Sequence, residues 1–282
     1  MSTELSIVVK GDVPGSIKRE VTHTLEDCYR RFSPKVPQMV EVQLVDKPAV
    51  MRDFLKEEKM KLGITTSGEE GFICTHDAWR NFPRLIICSE RLAGLGKLAR
   101  LGAIRHEAAH TALHGSLEYY VFRVPENCWH TAKIKGIDLA TLEQAVYYMS
   151  VAVKDFEATR FLAAHDFTKC QAAFALEALR LSEEDKLMWQ SAKTNRRTRF
   201  LYRVALLKPI LFTHPLLSVA KSKKLPLEQQ VQLGRRMEVL VEHMGRTAQE
   251  EMFQLANTIA EKLTEDTHSN IDVALYQAMA LT

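Results

Sequence analysis

Residues 105–115, RHEAAHTALHG, gather three histidines and one glutamate in a single short stretch. His106 and His110 are four residues apart. On an α-helix that spacing puts them about 40° apart on one face, one turn from each other, where two imidazoles can hold one metal ion. Glu107 lies one step round from His106. The arrangement is H-E-x-x-H, in which the histidines bind zinc and the glutamate, not itself a ligand, takes a proton from the zinc-bound water that attacks a peptide carbonyl. Metal and base together supply a water nucleophile at neutral pH, which neither supplies alone. The plainer reading is an alanine-rich helix that happens to carry histidines. The preceding residues, SERLAGLGKLARLGAIR, read as helix up to the motif, so the histidines fall where the chemistry needs them.

His114 continues the four-residue spacing but is not expected to be a ligand. The helix rises about 12 Å from His106 to His114, too far for three imidazoles to converge on one ion. The longer motif with a glycine and a third histidine is also absent, since Leu113 and Ser116 stand at those two positions. His114 reads as support or packing.

A third ligand must come from elsewhere, and the helical stretch 139–168 offers Glu143, Asp155, Glu157 and Asp166. Counted at 100° per residue, Tyr148, Val151, Ala152, Ala158, Thr159 and Leu162 all fall within about 100° of Asp155. A carboxylate on such a face is costly unless it is paired or bound to a cation. Asp155 is therefore the expected third metal ligand. The competing explanation is an ion pair with Arg105, Arg160 or another base. Glu157 falls about 200° away, where it could be solvated, and is the alternative third ligand.

Several elements must position these groups. Residues 5–9, LSIVV, and 39–46, MVEVQLVD, read as strands around a helix at 16–32. GFICTH at 71–76 and RLIICSE at 84–90 read as adjacent antiparallel strands joined by a loop. From about Ala93 the texture is helical, over 96–114, 139–168, 171–190, 196–212, 227–244 and 246–264. Breaks are expected near Gly115, Pro125, Gly136, Pro209, Pro215 and Pro226. The fold class is α+β, an N-terminal α/β lobe feeding a long helical part.

With 282 residues, 46% hydrophobic and 26% charged, the chain has a globular composition. Neither an apolar run of about 20 residues nor a leader-like start is visible, so no membrane span is expected and the location is read as cytoplasmic. Five scattered cysteines without C-x-x-C spacing indicate neither a disulfide framework nor a thiolate zinc site. The net charge of +3 is too small to argue for nucleic acid. The basic clusters TNRRTRFLYR at 194–203 and KSKK at 221–224 read as solvated helix ends and a loop.

AIRHEAAHTALHG followed by KDFEATRFLAAHDF resembles the gluzincin-type peptidases of the ImmA/IrrE group, whose pattern is an H-E-L-G-H-x-x-x-H helix followed by an E-x-E-A-N-x-F-A helix. It is also similar to the archaeal-type minigluzincins. The likeness covers about residues 70–170. It implies a zincin-like catalytic core, a small mixed sheet plus an active-site helix, in a metallopeptidase domain over 1–170 followed by a helical region at 171–282. It implies Zn2+ as cofactor, His106 and His110 as ligands and Glu107 as general base. Asp155 stands at the family's first glutamate and Thr159 at its asparagine. The strand at 84–90 is then the edge along which an extended polypeptide substrate would pair. An electrophile for the oxyanion would come from His130, Tyr147, Tyr148, Arg160 or His165. Cys128, read as lying in a loop after Pro125, could occupy the zinc's open position, although a lone loop cysteine is more often inert. The different reading is an inactive or latent zincin-like regulatory or interaction protein with a structural zinc, with a link to nucleic-acid regulation as one form of it.

Overall fold

The computed structural model describes residues 3–34, 36–64, 71–220 and 225–282, so the KSKK stretch at 221–224 lies outside the described residues. The fold is α+β, with twelve α-helices and one four-stranded mixed sheet among the described residues. The chain divides into two compact units, Met1–Tyr120 and Val121–Thr282. The stretch 1–170 thus takes in all of the first unit and the opening helices of the second.

Unit 1 holds the sheet. Strand β1 (Glu4–Lys10) runs parallel to β2 (Met39–Val45), joined by helix α1 (Gly15–Phe32). Helix α2 (Pro48–Leu62) follows, starting on a proline that fits the first turn and ending at Gly63 with φ +65°, a left-handed cap that glycine adopts without a Cβ penalty. Strands β3 (Cys74–Asp77) and β4 (Arg84–Cys88) pair antiparallel, as the sequence predicts. The sheet order is β1-β2-β4-β3, with β4 parallel to β2. The strand expected to be an edge, 84–90, is therefore interior. The edge beside it is β3, because β4 is paired on both sides.

Register sorts the sheet into two faces. Glu41, Arg84 and Asp77 share one face, and Val42, Leu85 and His76 share the other. Helix α2 covers the first, where Met51 and Leu55 pack with Val45 and Ile86. At its polar end the fully buried Arg84 guanidinium binds both oxygens of Asp77 and donates to Glu58 at 2.8 Å. Burial pushes the Glu58 carboxyl up, but Arg84 and Arg80 together hold it below its usual value. For Asp77, burial outweighs Arg84 and keeps the carboxyl above the usual range. The second face meets helix α4 (Lys97–Leu113), which follows the one-turn helix α3 (Ser89–Ala93). The helix expected to run unbroken into the motif is interrupted at residues 94–96, where two glycines favour a turn.

Unit 2 is helical, with α5 (Glu126–Ile134), α6 (Leu139–Ala164), α7 (Thr168–Ala178), α8 (Glu183–Ala192), α9 (Arg196–Ala220), α10 (Leu227–Val241), α11 (Arg246–Lys262) and α12 (Thr267–Ala278). Asp138 caps α6 by accepting from the Thr141 N–H, and a capping box between Ser182 and Asp185 starts α8 where one helix over 171–190 is expected. The breaks expected at Pro209 and Pro215 do not occur, since α9 runs through both. Each proline costs the helix about 3 kcal/mol. Phe200, Val204, Leu207, Ile210, Leu211 and Leu216 are all buried on this one helix, and that burial outweighs the cost. Within Arg196–Ser218 α9 has an 18-residue window whose length and mean hydropathy, 1.2, could cross a membrane, but 56% of that window is buried inside the protein, as befits a core helix. The basic cluster at its start is partly committed: Arg197 pairs with Asp138 and Arg203 with Glu251.

Candidate metal centre

Helix α4 carries the motif, and its sequence explains how tightly it is held. Ala103, Ala108 and Ala109 are fully buried on different sides of the helix, and Tyr29 Oη on α1 stands 2.7 Å from Thr111 Oγ1. The helix ends at His114. Gly115 is required there because a Cβ would stand 2.3 Å from the Thr111 carbonyl oxygen and 3.3 Å from Pro83.

His106, Glu107, His110 and His114 are all buried. The Nε2 atoms of His106 and His110 point at each other, 3.0 Å apart. Two zinc ligands at bond lengths of about 2.1 Å and a tetrahedral angle stand about 3.4 Å apart, so the pair fits a zinc ion with a shift of a few tenths of an ångström. His110 turns its other nitrogen, Nδ1, to Nδ1 of His114 at 3.1 Å. His114 therefore sits at the opposite edge of the His110 ring from His106, where it can fix that ring's orientation.

The sequence reading did not single out His76. It projects from β3 on the same sheet face as Leu85, stacks on His110 with centroids 3.9 Å apart, and places Nδ1 2.6 Å from Glu107 Oε2. The Glu107 carboxylate is thus held from the sheet edge. Strand alternation could have put His76 on the inner face, but nothing in the sequence tied it to the motif thirty residues later. Tyr119 and Tyr120 also border the histidines, with the Tyr119 ring against His114 and the Tyr120 ring 6.2 Å from His76. Burial, with the Asp77 and Glu107 carboxylates nearby, raises the Tyr120 phenol well above its usual value. Cys74, two residues before His76, is raised by burial and then by Glu107 and Cys88.

In unit 2, Asp155 lies on α6, buried, with the Lys208 ammonium 3.6 Å from Oδ2. The ion pair expected as the competing explanation for Asp155 is thus present, made by Lys208, whereas Arg105 and Arg160 pair with Asp27 and Glu265. Glu157 is not solvated. It is buried and accepts from Asn270 Nδ2 at 2.5 Å and Thr267 Oγ1 at 2.8 Å, one bond on each oxygen. The reason is that α12 covers that side of α6, so the helix is enclosed on more than its apolar stripe. Between these carboxylates Lys154 is buried, and burial lowers its ammonium to about 8 against the pull of Asp155 and Glu157.

The remaining residues scatter. Arg160 donates to the carbonyls of Leu263 and Thr264 and so closes the end of α11. His130 is exposed on α5, and His165 follows the end of α6 with Nδ1 2.8 Å from the Phe161 carbonyl. Tyr148 lines a cavity of about 680 Å3 within unit 2, together with Met188, Leu201 and Tyr202. Cys128 is not in a loop. It is buried on α5 in the core of unit 2, and burial raises its thiol to about 11, which removes thiolate character.

The chain matches no protein-family model, no curated protein and no solved structure.

Proposed function

We propose that the protein is a zinc-dependent metallopeptidase with His106 and His110 as metal ligands, Asp155 as the third and Glu107 as general base. One observation carries the reading: two buried imidazole nitrogens converge at 3.0 Å on a helix whose next residue round, Glu107, is a buried carboxylate. His106, His110 and Asp155, all buried, together offer two imidazole nitrogens and a carboxylate oxygen, a donor set suited to zinc. Asp155 is preferred to Glu157 because the oxygens of Glu157 are both engaged by α12. Zinc, when bound, polarises a carbonyl and acidifies a water. Glu107 would take a proton from the attacking water on its carboxylate and pass it to the leaving amide nitrogen. His76 orients the Glu107 carboxylate through Nδ1, and His114 orients His110. The substrate is an extended polypeptide laid along β3, the sheet edge that carries His76. The likeness to gluzincin-type peptidases over 70–170 and a cytoplasmic location belong to the same proposal.

The test is cleavage of a mixture of unstructured peptides by the zinc-loaded full chain. Cleavage that disappears in Glu107→Gln while bound zinc stays at one per chain supports the reading. Zinc retention with no cleavage by the unaltered chain instead favours a regulatory protein with a structural zinc. The observation on its side is the short contact between His76 and Glu107, which engages the base.

A further inference from the structure

The sheet has two edges, and only one belongs to the metal centre. The other is β1, which pairs with β2 on one side. The Glu4 N–H donates to the Gln38 carbonyl and the Lys10 carbonyl accepts from Asp46 N–H, so residues 4, 6, 8 and 10 turn their peptide groups toward β2. By alternation Leu5, Ile7 and Val9 turn theirs to the open edge. Between its terminal charges β1 reads LSIVV, with Val8 and Val9 39% and 41% exposed. It carries no proline, no bulge and no internal charge, the usual protections of an edge strand.

We infer that β1 is a dimerisation strand, which pairs antiparallel with β1 of a second copy of this chain about a two-fold axis at Ile7. The sequence is self-complementary in that register. Ile7 faces Ile7 of the other copy, Leu5 faces Val9, Ser6 faces Val8, and Glu4 faces Lys10 at both ends. The three outward-facing residues then sit in the hydrogen-bonded pairs, two bonds each and about six in all. Glu4 and Lys10 fall in the closer, non-hydrogen-bonded pairs, where opposite charges stabilise and like charges repel. Moving the axis by one residue either way leaves the charges unmatched and an outward peptide group unused. Such a contact is isologous, as a closed dimer requires, and joins two four-stranded sheets into one of eight strands. This inference stands apart from the proposed chemistry.

The experiment is sedimentation equilibrium of the full chain across the micromolar range. The unaltered chain is expected to form a concentration-dependent dimer. Glu4→Lys alone and Lys10→Glu alone should each weaken it about tenfold, because the reversal counts at both ends. The double variant Glu4→Lys/Lys10→Glu should restore it, since the swapped charges again face each other. Circular dichroism confirms that each variant is folded. A chain that stays monomeric, or a dimer indifferent to the single reversals, overturns the inference.

Discussion

Unit 1 and unit 2 bury charge in different ways. In unit 1 four of the five buried charged residues among those described are joined across elements: Arg84 on β4 holds Asp77 on β3 and Glu58 on α2, and His76 on β3 holds Glu107 on α4, while the fifth, Lys59, has its ammonium 5.9 Å from the Trp79 ring. In unit 2, three of the four buried charged residues among those described, Lys154, Asp155 and Glu157, crowd one turn of α6, and Arg203 is the fourth. Charge joined across elements fixes where strands and helices stand. Charge crowded on one turn has to be satisfied residue by residue: Glu157 is satisfied by α12, and Asp155 has the Lys208 ammonium 3.6 Å from Oδ2. The contrast separates a carboxylate that builds the fold from one proposed to bind metal.

The largest effect expected from breaking this pattern is at Arg84. Arg84→Met leaves Asp77 and Glu58 buried without their shared cation and should lower unfolding stability by about 3–5 kcal/mol in urea titration. Next comes the pair on α6. Glu157→Ala strands the Asn270 amide and the Thr267 hydroxyl and should cost about 2–3 kcal/mol with zinc content unchanged. Asp155→Asn should do the reverse, with zinc lost and stability of the metal-free protein altered by less than about 1 kcal/mol. If Glu157→Ala loses zinc and Asp155→Asn keeps it, the two roles are exchanged. The smallest effect belongs to His114→Leu, which removes the group behind His110 and should weaken zinc affinity about tenfold in competition with a chelator, with one site retained.

Helix α1 has one buried side, and its period is readable. Strands β1 and β2, helix α1 and the motif helix α4 all appear close to their expected places. Periodicity fell short where burial is two-sided or the signal is local. Helix α6 is enclosed by several neighbours, so Glu157 looked solvated. Helix α9 keeps its two prolines because its packing outweighs them. Helices α2, α5 and α12 went unseen, although Pro48 and Gly63 bracket α2 and Asp266 caps α12. Strand order is a property of pairing rather than of composition, so the interior place of β4 and the edge place of β3 were hidden. His76 was hidden with them, because its link to Glu107 exists only once β3 lies against α4.

If His106 and His110 share one zinc ion, the purified full chain holds it, and metal analysis of that chain reads this out. One zinc per chain is expected, none in His106→Ala or His110→Ala, and an undiminished content in Glu107→Gln, whose carboxylate is proposed as a base and not a ligand. A chain without zinc after equilibration with the ion, or one that keeps its zinc when both histidines are replaced, would contradict it.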